Sequence, residues 1–121
     1  MAKTAMDLVA EAKQRIREID QSAALEVLGG CPIVDVREPE EYAAGSLPGA
    51  VNIPRGVLEF RIDAHPACAG HKEHKIIVYC QTGGRSALAA EALQKIGYLN
   101  PVSLAGGFKA WSEAGLPTQK P

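Results

Sequence analysis

Ile76-Ile77-Val78-Tyr79-Cys80-Gln81-Thr82-Gly83-Gly84-Arg85-Ser86, running on into Ala87-Leu88-Ala89-Ala90-Glu91-Ala92-Leu93, is the stretch that decides the fold. Its first four residues are β-branched or aromatic and read as a buried strand. The Ala- and Leu-rich run that follows reads as a helix, from about Ser86 to Ile96, with Lys95 in its last turn and Gly97 just beyond. Between them lies a glycine turn, so Cys80 stands where a strand ends and a helix starts. Backbone N–H groups and the positive end of a helix meet at such a place, and both favour an anion.

The same alternation extends in both directions. Upstream, Thr4 and Asp7 fit a capping box that starts a helix, with Leu8, Val9, Ala12, Ile16 and Ile19 on one face. We expect this helix to run to about residue 15, with a short strand over Ile16–Ile19. Asp20 or Ser22 caps a second helix through Leu25 and Leu28, which Gly29-Gly30 stops. Ile33-Val34-Asp35-Val36 is a short strand. Pro39 then takes the first position of a helix carrying Glu40 and Glu41, closed at Gly45. Ala50–Ile53 is a third strand. Val57–Ile62 forms at most a short helix before Pro66 and Gly70. Downstream, Val102-Ser103-Leu104 is a last strand and Phe108–Ala114 a last helix, with Phe108 and Trp111 in the core. Short apolar strands alternating with helices predict an α/β fold. Its expected form is a central parallel sheet of four to five short strands with helices on both faces. Ligands of such sheets sit at the carboxyl ends of the strands, where Cys80 lies.

Composition narrows the function classes. A chain of 121 residues supports one domain with a real core. With 13 basic and 14 acidic residues the net charge is −1, which gives no electrostatic case for nucleic acid or an anionic membrane as partner. No apolar run approaches a membrane span, and no secretory leader is expected from Met1–Asp7, so the expected location is cytoplasmic. Three cysteines without paired spacing argue against a disulfide scaffold and for free thiols.

A lone cysteine at a strand end is commonly just a small buried hydrophobe. The glycine pair, the arginine and the helix start argue for more here. Gly83 and Gly84 tolerate positive φ and let loop amides converge. Arg85 adds a fixed charge with forked donors that suits a sulfonate, phosphate or carboxylate. Ser86 can cap the helix and donate to the same anion. The pattern is a sulfur nucleophile in an anion cradle. Its spacing, C-x4-R, is one residue shorter than the C-x5-R of cysteine-based phosphatases. The shorter loop suits a sulfur atom carried on the cysteine better than a phosphoryl group.

With these residues in place, the chain resembles the rhodanese domain in its single-domain sulfurtransferase form. The matching segments are Ile33–Tyr42, Gly45–Pro54, Ile77–Ser86 and Leu104–Trp111. Residues 1–20 lie outside them as an N-terminal helical extension, and 21–121 form the rhodanese-like catalytic domain. The resemblance implies a three-layer α/β/α fold and a persulfide mechanism with Cys80 as nucleophile. Gln81, Thr82, Gly83, Gly84, Arg85 and Ser86 would bind the substrate, Arg85 holding its anionic end. Asp35 and Arg37 would support the loop. It implies no cofactor and no metal, a small anionic sulfur donor such as thiosulfate, and a thiol or sulfur-carrier protein as acceptor. Ser46 stands where the family often has His. Gln81 and Thr82 are neutral where thiosulfate-preferring members carry basic residues, so polysulfide or protein persulfide donors stay open. Two rival expectations are a rhodanese-like binding or regulatory module without turnover, and a phosphatase or arsenate reductase on the same fold.

His65, Cys68, His71 and His74, spaced by three, are weak candidates for a metal site, because no CxxC or HExxH frames them and Pro66 and Gly70 interrupt a helix. Cys68 reads as an idle loop cysteine and Cys31 as a small buried residue.

Overall fold

The computed structural model describes residues 2–121. Among these residues five strands form one sheet: β1 (Arg17–Ile19), β2 (Ile33–Asp35), β3 (Val51–Asn52), β4 (Lys75–Tyr79) and β5 (Asn100–Leu104). All neighbours are parallel, in the order β1-β5-β4-β2-β3, which puts β4 at the centre. Six helices accompany them: α1 (Ala5–Arg15), α2 (Gln21–Glu26), α3 (Pro39–Ala44), α4 (Leu58–Arg61), α5 (Gly84–Lys95) and α6 (Gly107–Glu113). Short 3-10 turns flank α4 on both sides. Among the described residues no helix is long and apolar enough to cross a membrane.

Strand alternation builds two cores. Ile76 and Val78 of β4 join Val34 of β2 on one face, with Leu58, Ile62, Ala87, Ala90 and Leu93 from the helices. Ile77 and Tyr79 face the other way, with Ile33, Leu47, Val102, Leu104 and Trp111. Trp111 is fully buried, and its indole N–H donates to Pro117 O at 2.7 Å, so the largest core side chain carries no unpaired polar atom.

The N-terminal helix starts as expected. Thr4 Oγ1 accepts from Asp7 N at 3.1 Å, and Thr4 N donates to the Asp7 carboxylate at 2.9 Å. Val9 and Ala12 are the residues α1 buries. Its helix packs against α5, whose buried face includes Ala87, Ala89 and Ala90, small enough to let the two backbones approach. Burying a valine is worth about 1.5–3 kcal/mol, so Val9 anchors this contact. Leu8, expected on the same face, is largely exposed, and Ile19 belongs to β1, which pairs in register with β5 from Arg17 to Ile19.

Several boundaries differ from expectation. Helix α2 stops at Glu26, before Leu28, which lies in a turn. Strand β5 begins at Asn100 and includes Pro101, which pairs with β4 before β1 first joins at Val102. Cys31 is only partly buried and lines a surface cleft with His71, His74 and Lys75. Cys68, expected in an idle loop position, is wholly buried in the core.

Candidate active site

Cys80 follows directly on the central strand β4, and the chain turns over Gln81–Gly83 into α5. Gly83 is the N-cap of α5 at φ +111°, a conformation that side-chain-bearing residues rarely adopt. The turn aims donors at the sulfur. Gly83 N lies 3.1 Å and Ser86 N 3.3 Å from Cys80 Sγ, with Ser86 Oγ at 3.5 Å. Burial pushes the Cys80 thiol up, but the Ser86 hydroxyl and the amides of Ser86, Gly83 and Thr82 outweigh it, and the pKa falls below the ordinary thiol value. The twelve-residue helix behind these amides adds its positive end.

The loop roles are distributed differently from expectation in two places. Only Gly83 of the glycine pair uses positive φ. Gly84 is the first helical residue, and its Cα faces the Val9 side chain of α1, which ties the N-terminal helix to the loop. Ser86 does not cap α5. It sits in the first turn, fully buried, with its hydroxyl between Cys80 Sγ and Ser103 Oγ, 2.8 Å away on β5.

The loop is held from behind by α6. Phe108 N donates to Cys80 O at 2.8 Å and Lys109 N to Gln81 O at 3.0 Å. With these carbonyls turned toward α6, the neighbouring amides are free to face the sulfur. A Cβ on Gly107 would lie 2.5 Å from Cys80 O, so only glycine permits this approach.

Asp35 and Arg37, at the end of β2, form a fully buried pair. Arg37 Nη2 donates to Asp35 Oδ2 at 2.7 Å, Nε to Oδ1 at 3.0 Å, and the backbone N of Arg37 to Oδ1 at 2.9 Å. The guanidinium also donates to Gly45 O at 2.6 Å and lies 4.4 Å over the Phe108 ring. Every buried charge thus has a partner, without which such a pair would be costly. Its link to the loop is Arg37 Nη1 to Gln81 Oε1, 3.2 Å. Asn52 Nδ2 donates to Asp35 O and Arg37 O and steadies the strand end.

Arg85 does not stand free over the sulfur. Its two terminal nitrogens grip the Glu41 carboxylate of α3 at 2.8 and 3.1 Å. The guanidinium holds the Glu41 carboxyl at about 2, against a usual 4.5. Beside this pair, Arg37, Gln81, Gly45 and Phe108 line a shallow depression.

The rhodanese-like domain pattern matches residues 9–114. The chain belongs to the rhodanese-like domain family. A sulfurtransferase of Allochromatium vinosum is 32% identical over 109 residues, covering 88% of this chain and 97% of that protein. The human thiosulfate:glutathione sulfurtransferase is 33% identical over 94 residues, covering 70% and 82%. Among solved structures, a protein of unknown function from Rhodopseudomonas palustris, described as a possible tyrosine phosphatase, superposes with a TM-score of 0.86 at 33% identity, covering 98% of this chain and 96% of that one.

Against the expected rhodanese-like site, the structure gathers Cys80, Gly83 and Ser86 directly around the sulfur. Gln81 and Arg37 bind each other, and Asp35 supports Arg37 from beneath. Thr82 is exposed. Sequence reasoning missed three participants. From the sequence Glu41 reads only as a first-turn helix residue, Gly106-Gly107 only as part of a matching segment, and Ser103 only as a strand residue. The double glycine ahead of a helix was a usable signal for the close approach of α6.

Proposed function

We propose that this protein is a sulfurtransferase that carries a sulfane sulfur on Cys80. The observation that carries it is the set of partners on one sulfur at the carboxyl end of the central strand: two amides donate to Cys80 Sγ, and the Ser86 hydroxyl lies in hydrogen-bond contact with it. A lowered thiol pKa raises the thiolate fraction near neutral pH, and the thiolate is the nucleophile. The names of the relatives from Allochromatium and human support the same activity.

The Cys80 thiolate attacks the outer sulfur of a donor such as thiosulfate. The Sγ–S bond forms, the donor's S–S bond breaks, and sulfite leaves with the bonding pair. The loop amides that held the thiolate then face the terminal negative charge of the persulfide. An acceptor thiolate, cyanide or a sulfur-carrier protein attacks that terminal sulfur and returns Cys80 as thiolate. The human relative's name supports a small thiol as acceptor. All electrons are accounted for by the sulfur centres, so the cycle needs no metal or organic cofactor. Three unpaired thiols suit a reducing compartment such as the cytoplasm.

Intact mass after incubation with thiosulfate or polysulfide tests this. The wild type gains one sulfur atom, cyanide removes it, and Cys80→Ser never acquires it. A wild type that gains nothing from either donor overturns the proposal and leaves a binding module. Cys80-dependent release of phosphate from an aryl phosphate would instead favour phosphatase chemistry.

A further inference from the structure

Ser103 and Ser86 are both fully buried, on β5 and α5 respectively, with their hydroxyl oxygens 2.8 Å apart. Ser86 Oγ also touches Cys80 Sγ at 3.5 Å. The three side chains form a line from the strand beside β4 to the reactive sulfur. Ser103 Oγ has no other hydrogen-bond partner among the described residues. A hydroxyl proton buried without an acceptor is costly, so the Ser103 hydroxyl donates to Ser86 Oγ. Ser86 accepts from the neutral Cys80 thiol; once Cys80 is a thiolate, Ser86 need not spend its own proton on Ser103 and can turn it to Sγ.

We infer that Ser103 is a positioning residue for the Cys80 thiolate, fixing the direction of the Ser86 hydroxyl and polarising it toward the sulfur. This rests on Cys80 being the reactive sulfur of the proposed transferase. Hydrogen bonds in a chain strengthen one another in a dry interior, so a donor behind Ser86 makes Ser86 a better donor to an anion. The benefit goes to whichever form of Cys80 bears negative charge, the thiolate or the persulfide. The ionisable groups around the loop are Arg85 of α5 with its partner Glu41 of α3, and the Arg37–Asp35 pair at the end of β2. Lys109 of α6 is exposed. Substituting Ser103 alters none of these charges.

The pH dependence of Cys80 alkylation by iodoacetamide, followed by peptide mass, tests the inference without requiring turnover. Ser103→Ala is expected to move the apparent pKa of Cys80 up by about half a unit, slowing alkylation below that pKa, with an unchanged plateau at high pH. Ser103→Thr, which keeps the hydroxyl, stays near the wild-type profile. In a Ser86→Ala background, Ser103→Ala has no further effect, because the link it acts through is gone. Superimposable wild-type and Ser103→Ala profiles, or an equal shift in the Ser86→Ala background, overturn the inference. A failure of sulfur transfer shows separately, as a wild type that is alkylated at Cys80 yet never gains a sulfur atom.

Discussion

Glu41 grips Arg85 through two charge-assisted hydrogen bonds, and this decides how the loop meets an anion. If the proposed dianionic donor docks on Arg85, it must compete with a carboxylate already in place. Glu41→Gln keeps an oxygen for the Glu38 amide, which Glu41 Oε1 now accepts at 3.0 Å, but removes the competing charge. The KM for thiosulfate is expected to fall by up to about fivefold, since a partly exposed pair is worth no more than ~1 kcal/mol. An unchanged or higher KM in steady-state assays contradicts it. The pair also has a pH sign. A carboxyl lowered to about 2 stabilises the fold above its usual 4.5 and loses that contribution as pH falls toward 2. At this scale the sequence was informative about Cys80, because strand, turn and helix signals are local. It was silent on Glu41 and Ser103, which lie 44 and 17 residues from their partners. Only the assembled sheet brings them there.

Among the elements, α6 acts as the back wall of the loop. Its first amides take the Cys80 and Gln81 carbonyls, and Gly107, at φ +60°, permits the contact. Gly107→Ala places a methyl group within 2.6 Å of Gln81 O as well as Cys80 O. Strain in the left-handed region alone costs about 1–2 kcal/mol, so thermal melting is expected to drop by several degrees at least. Persulfide formation should fall further than stability does. A variant with wild-type melting and full sulfur loading would show that the wall is dispensable. Helix starts were legible at Thr4, Asp20 and Pro39, where side-chain or proline chemistry marks them. The starts of α5 and α6 fall at glycine N-caps, which offer no side-chain donor or acceptor to read. Pro101 hid the beginning of β5, since proline counts against a strand until one sees that β1 pairs only from Val102 onward.

At the scale of the molecule, the three thiols differ in acidity and exposure. Cys80 and Cys68 are both buried, but the Ser86 hydroxyl and the loop amides lower the pKa of Cys80 whereas burial pushes the Cys68 thiol to about 11; Cys31 opens on a surface cleft. Native protein treated with iodoacetamide is expected to keep Cys68 unmodified while Cys80 reacts, and Cys68 labelling should track global unfolding in urea. Rapid labelling of Cys68 under native conditions would mean that the core around it opens on its own. The parallel order was legible as alternation, whereas the bridge from Ser46 to Gln119 was not, since no pattern links a buried turn to the tail. The cradle around Cys80 has one broader consequence. Its donors are largely main-chain groups, held in place by other main-chain groups, so outside the glycines that the turn and its wall require they depend little on side-chain identity. The side chain at position 82, which is exposed, can therefore change without moving the amides that face Cys80 Sγ.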